Sequence, residues 1–110
     1  MNKERMLKLA DYIEGLPAFM FVMTRWYKEH KCGTIGCIAG HAVALFGNGD
    51  VRAMARTYPV SETFNLASDL LGLDKKDAKH LFYAEWARPK LIEDVTQYEA
   101  AARLREMANG

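Results

Sequence analysis

The chain has 110 residues, half of them hydrophobic, with 15 basic and 14 acidic side chains and a formal net charge of +1. That length is one domain, large enough to bury a core without staples, and the even charge argues against binding nucleic acid through a broad basic surface. No stretch reaches the ~20 apolar residues that span a bilayer, and Asp11 and Glu14 interrupt the N-terminal run a signal peptide would need. A cytoplasmic protein with reduced cysteines and no membrane association is therefore expected.

In chain order, Met6, Leu9, Ala10, Ile13 and Leu16 recur at helical spacing and predict an amphipathic helix over 3–15, closed by Gly15 and Pro17. The following "AFMFVMTRWY" is apolar in both phases; its aromatic content and the proline before it predict an extended segment over 18–27. Residues 32–49 carry no charged side chain, histidine aside. There Ile35, Ile38, Ala39, Ala42, Leu45 and Phe46 form one helical face, predicting a central helix over about 35–47 with Thr34 as its N-cap. Gly36, Gly40 and Ala44 line the other side as a groove of small residues. Each glycine costs about 1 kcal/mol against alanine in a helix, so the pattern predicts close packing by another helix.

Asp50 is suited to capping a short turn through "DVRAMA" before the break at Pro59. Ser61 then opens a helix with Phe64, Ala67, Leu70 and Leu71 inward, ending at Gly72. Asp74 caps the next, with Ala78, Leu81, Phe82 and Trp86 along one side before Pro89. Thr96 and Glu99 form a capping box that starts a last helix, whose inward residues are Ala100, Ala101, Leu104, Met107 and Ala108. The fold class is all-α, a single domain over 1–110 of about five helices around the central apolar one.

The stretch "CGTIGCIAGHA" (32–42) holds both cysteines, one of three histidines and three of eight glycines. Its candidate functional cluster is Cys32, Thr34, Cys37 and His41. Cys37 and His41 are four apart and share a helix face. Cys32, Cys37 and His41, with His30 as a fourth ligand, have the residue types of a zinc site, but not the C-x₂-C spacing. Cys37 in a first helical turn next to His41 also fits a reactive thiol, although apolar surroundings push a thiol pKa upward. A redox-sensing Cys32–Cys37 disulfide is a third chemistry. The bland alternative makes both cysteines small core hydrophobes and His41 a core histidine satisfied by a backbone carbonyl or an aromatic neighbour. The apolar setting favours that one.

Residues 62–86 have the outline of a helix-turn-helix, with Lys75, Lys76, Lys79 and His80 on the second helix. Asp74 and Asp77 in the same turn oppose phosphate, and an αα-hairpin built for packing explains the residues as well. Nucleic-acid binding is thus not the expected role. Phe19, Met20, Phe21, Met23 and Trp26 fit a partner groove or, more simply, core.

The order "FVMTRW", "CGTIGCIAGHA" and "LASDLLGLDKKDAKHLF" resembles a family of small bacterial and bacteriophage proteins. The matching positions are Phe21, Met23 and Trp26; Cys32, Gly33, Thr34, Cys37, Gly40 and His41; and Leu71, Gly72, Leu73, Ala78, Leu81 and Phe82. They cover roughly residues 9–85. The resemblance implies a small cytoplasmic single-domain protein and carries no reaction, cofactor or catalytic residue with it. The expected role is non-catalytic, through protein–protein contacts and with homo-oligomerisation in view. A metal-binding or redox-active thiol site at Cys32/Cys37/His41 is the alternative, and helix-turn-helix DNA binding the second.

Overall fold

Helix α1 (Lys3–Glu14) begins where the Asn2 side-chain oxygen accepts from the Arg5 amide at 3.0 Å, and it ends at Gly15 as the apolar spacing predicts. The structure is a computed structural model that describes residues 1–23, 28–30, 33–35, 37–47 and 60–110. The other elements are strands β1 (Lys28–His30) and β2 (Gly33–Ile35), and helices α2 (Ile38–Phe46), α3 (Val60–Leu71), α4 (Lys75–Phe82) and α5 (Gln97–Asn109). The domain is all-α. Its strands form only a short antiparallel pair, with Lys28 opposite Ile35, Glu29 opposite Thr34 and His30 opposite Gly33.

Among the described residues, the most extensive packing is α1 against α5. Met6, Leu9, Ala10 and Ile13 of the first and Ala100, Ala101, Leu104 and Ala108 of the second are all buried. Alanine dominates the α5 side because two helix backbones approach closely only where side chains are small. Arg105 spans the pair at the surface, reaching Glu14 Oε2 at 2.6 Å and Asp11 Oδ1 at 2.8 Å. Exposed pairs of this sort contribute little; the apolar seam decides.

Helix ends are closed by donors from other elements. At the C-terminus of α3, Leu70 O accepts from Arg5 Nη1 at 2.8 Å and Leu71 O from the Asn2 amide at 2.8 Å. Gly72 makes room for this: its φ is +65°, and an added Cβ would stand 3.0 Å from the Asn2 nitrogen. At the C-terminus of α1, buried Gln97 donates through Nε2 to the carbonyls of Leu16 (2.6 Å), Ile13 (3.1 Å) and Glu14 (3.2 Å). Ile13 and Glu14 belong to the last turn of α1, whose carbonyls lack intrahelical partners, and Leu16 follows just past its cap. Gln97→Leu keeps the volume and removes the donor, so it is expected to lower stability by about 1–3 kcal/mol. Urea denaturation followed by circular dichroism checks this, and a loss below 0.5 kcal/mol would mean that the carbonyls find water.

Four boundaries differ from the sequence expectation. The predicted extended segment over 18–27 begins instead as a 3-10 turn, Ala18–Met20, held by Met20 N–H to Pro17 O at 2.9 Å; Phe21 after it is extended. The turn lets Met20 and Phe21 both reach the core within a few residues of α1; residues 24–27 lie outside the described part. The central helix starts at Ile38 rather than near 35, because Gly33–Ile35 is taken up by β2. Helix α4 stops at Phe82, so Trp86 does not continue its face; it sits in the next 3-10 turn (Glu85–Ala87) and donates through Nε1 to Leu81 O at 3.2 Å. Val60 precedes Ser61 into α3 by one residue, and the predicted turn after Asp50 lies outside the described residues. The Asp74 cap (Asp77 N–H to Oδ1, 2.7 Å) and the Thr96–Glu99 capping box stand as predicted.

Candidate functional site

Of the four candidate residues, the structure brings Cys37 and His41 together on the first turn of α2. The helical bond from the His41 amide to the Cys37 carbonyl, 3.0 Å, opens the helix. Cys37 is the N-cap rather than the third helical residue. Thr34 is not the cap: it lies in β2 opposite Glu29, and His30 in β1 opposite Gly33. Cys32 lies outside the described residues. The offset has a local cause. β-branched Thr34 and Ile35 suit a strand better than a first helical turn, and pairing with 28–30 gives their backbone its hydrogen bonds.

Both described members of the cluster are core residues. Cys37 carries a free thiol and is 1% exposed; His41 is fully buried. Burial pushes the Cys37 thiol up to about 11, although the amides of Gly40 and Ala39 at the start of α2 pull the other way. Helix start and desolvation are opposed here, and desolvation wins.

His41 Nε2 lies 2.7 Å from the carbonyl oxygen of Met20. Since a carbonyl only accepts, the proton is on Nε2. The ring lies between two aromatics: Phe21 nearly parallel at 6.3 Å between centroids, Tyr12 tilted by 60° at 5.7 Å. The imidazole therefore ties α2 to both the 3-10 turn after α1 and α1 itself, and burial raises the Tyr12 phenol pKa as well. Among the described residues, no group of three or more His, Cys, Asp or Glu is placed to hold a metal ion.

Two other polar clusters were not singled out from sequence. In an open cleft of about 870 Å³, His80 Nε2 stands 3.0 Å from Arg103 Nη2, with Glu85 at 3.9 Å on the Nδ1 side and Glu106 at 3.7 Å from Arg103. A guanidinium has only hydrogens to offer, so in this hydrogen bond Nε2 is the acceptor. Asp77 and Arg105 also line it, and the mixture of acids and bases gives the cleft no net sign. The second cluster, a smaller groove of about 580 Å³, is lined by Lys79, Tyr83, Ala84, Glu85, Arg88, Lys90 and Ile92. Its cations come from α4 and from the irregular chain beyond it, which no single-helix pattern could have joined.

The α3–turn–α4 outline read in the sequence is present, with Gly72 and the Asp74 cap between the helices. No helix among the described residues is long and apolar enough to cross a membrane. No family model, no curated protein and no solved structure matches the chain.

Proposed function

We propose that this is a small non-catalytic helical protein that works through protein–protein contacts, in the cytoplasm of a bacterium or under a bacteriophage. In it Cys37–Ala42 builds the core. The observation that carries the reading is the use to which Cys37 and His41 are put: a buried thiol with a raised pKa, and an imidazole bonded to a backbone carbonyl between two aromatic rings. A nucleophile needs thiolate at working pH. With a pKa of about 11, the thiolate fraction at pH 8 is about one in a thousand. Contact-making surface is available in Leu91, Tyr98 and Phe19, each more than half exposed; apolar side chains at that exposure are what a partner or a second copy would cover.

Two measurements test it. Iodoacetamide at pH 7.5 is expected to leave Cys37 largely unmodified in the native protein and to label it rapidly in 8 M urea; rapid native labelling of Cys37 would favour the thiol reading. Native mass spectrometry of protein purified without chelator or reductant is expected to give a metal-free mass in an oligomer. A zinc adduct abolished by Cys37→Ala or by His41→Ala would replace the reading with a metal site.

A further inference from the structure

The outward face of α4 is basic without interruption. Lys75, Lys79 and Tyr83 follow one another at four-residue spacing, about 6 Å apart along the axis, with Lys76 beside them; all four are exposed. The two aspartates that oppose phosphate in the sequence do not lie on this face. Asp74 accepts the Asp77 amide as the helix cap, and Asp77 lines the opposite flank with His80. Past the helix the ridge runs into the groove, where Arg88 adds a further exposed cation next to Lys79 and Tyr83. Lys90 is already held by Glu99 at 2.8 and 2.9 Å, and Glu85, the one acid among the described residues that line the groove, stands 3.9 Å from His80 Nδ1. Tyr83 is 45% exposed and stacks at 5.9 Å on Phe64, which holds its ring in the groove that Lys79 and Arg88 also line.

We infer that this ridge and groove bind the backbone of a single-stranded nucleic acid, with Lys75, Lys79 and Arg88 on successive phosphates and a base stacked on Tyr83. A row of exposed cations that leads into a groove shared by Lys79, Arg88 and an anchored ring is complementary to a flexible polyanion carrying flat bases. Duplex readout is disfavoured by the same geometry. A recognition helix contacts base edges through its N-terminal residues; here that end carries the Asp74 cap, while the ring and Arg88 lie at and beyond the C-terminal end.

Fluorescence anisotropy with a labelled 20-nucleotide oligo-dT, titrated between 50 and 300 mM salt, decides it. The expected result is binding that weakens linearly in log–log form. Lys79→Gln with Arg88→Gln should weaken it at least tenfold at low salt and flatten the slope by about 1.4, for two lost contacts. Tyr83→Leu should cost roughly tenfold with the slope unchanged, and Tyr83→Phe should bind like the parent, because stacking needs the ring and not the hydroxyl. Lys3→Gln with Lys8→Gln, an equal charge change on α1, should have no effect beyond twofold. Circular dichroism melting confirms that each variant is folded. No binding at 50 mM salt, equal losses in the α1 pair, or tighter binding of a duplex that ignores Tyr83→Leu would each overturn the assignment.

Discussion

His41→Ala is expected to destabilise the protein by about 3–5 kcal/mol, and His41→Phe by about 1–3 kcal/mol. Two losses add in the alanine variant. Removing a fully buried ring from between Phe21 and Tyr12 leaves a cavity, whose cost grows with the volume that the surroundings cannot refill. The Met20 carbonyl also loses the donor 2.7 Å away, in a place where the cost of desolvating it is no longer offset. Phenylalanine restores most of the ring packing and leaves only the second loss, so the difference between the variants isolates the cavity. Urea unfolding gives both values, and ordinary domain stabilities of about 5–15 kcal/mol leave a measurable transition. A loss below 1 kcal/mol for His41→Ala would show that the imidazole does not join α2 to the chain around Met20. Stability unaltered by a chelator in the parent, together with a large loss in the variant, is the signature of a packing histidine rather than a ligand.

The legible parts of this fold were those governed by local rules. Period 3.6 runs located α1, α3 and α5, and two caps came from short side-chain oxygens that satisfy a first turn whatever lies around it: Asp74, and Thr96 with its capping-box partner Glu99. The start of α2 was misplaced for a reason of the same kind inverted. Thr34 has the chemistry of a cap, but strand pairing across to Glu29 took its backbone, which only the neighbouring segment could reveal. Gln97 was invisible as a structural residue because its three acceptors lie more than eighty positions away at the end of α1; a glutamine at the first position of a helix looks like any solvated side chain. For the candidate site, sequence gave the alternatives and not the choice between them. Whether Cys37 is activated by a helix start or silenced by burial depends on how much protein covers it, and that is a tertiary quantity. The cations of α4 stood out in sequence but were discounted because Asp74 and Asp77 share its first turn; on the helix, one caps the end and the other lines the flank with His80.

Raising the pH is expected to weaken the fold between pH 9 and about 11 through Cys37, by on the order of 2–3 kcal/mol once both folded and unfolded thiols would have ionised. In the unfolded chain the thiol ionises near its ordinary value of 9.0, while in the folded protein burial holds the proton on until about 11. Over that window the unfolded state binds fewer protons than the native state, so stability falls as pH rises, and below pH 9 the contribution is complete. Other groups titrate in the same range, including the tyrosines and lysines, so the measurement is a comparison. Unfolding free energies of the parent and of Cys37→Ala are determined by urea from pH 7.5 to 10.5, and the difference between the two curves isolates this thiol. The parent should lose stability faster than the variant above pH 9, with both parallel below it. The opposite slope would mean that the amides of Gly40 and Ala39 outweigh desolvation and keep a thiolate in the native state. That outcome would make Cys37 a thiol poised for chemistry. The predicted slope instead makes it a neutral core side chain, with the helix start overruled by the protein packed above it.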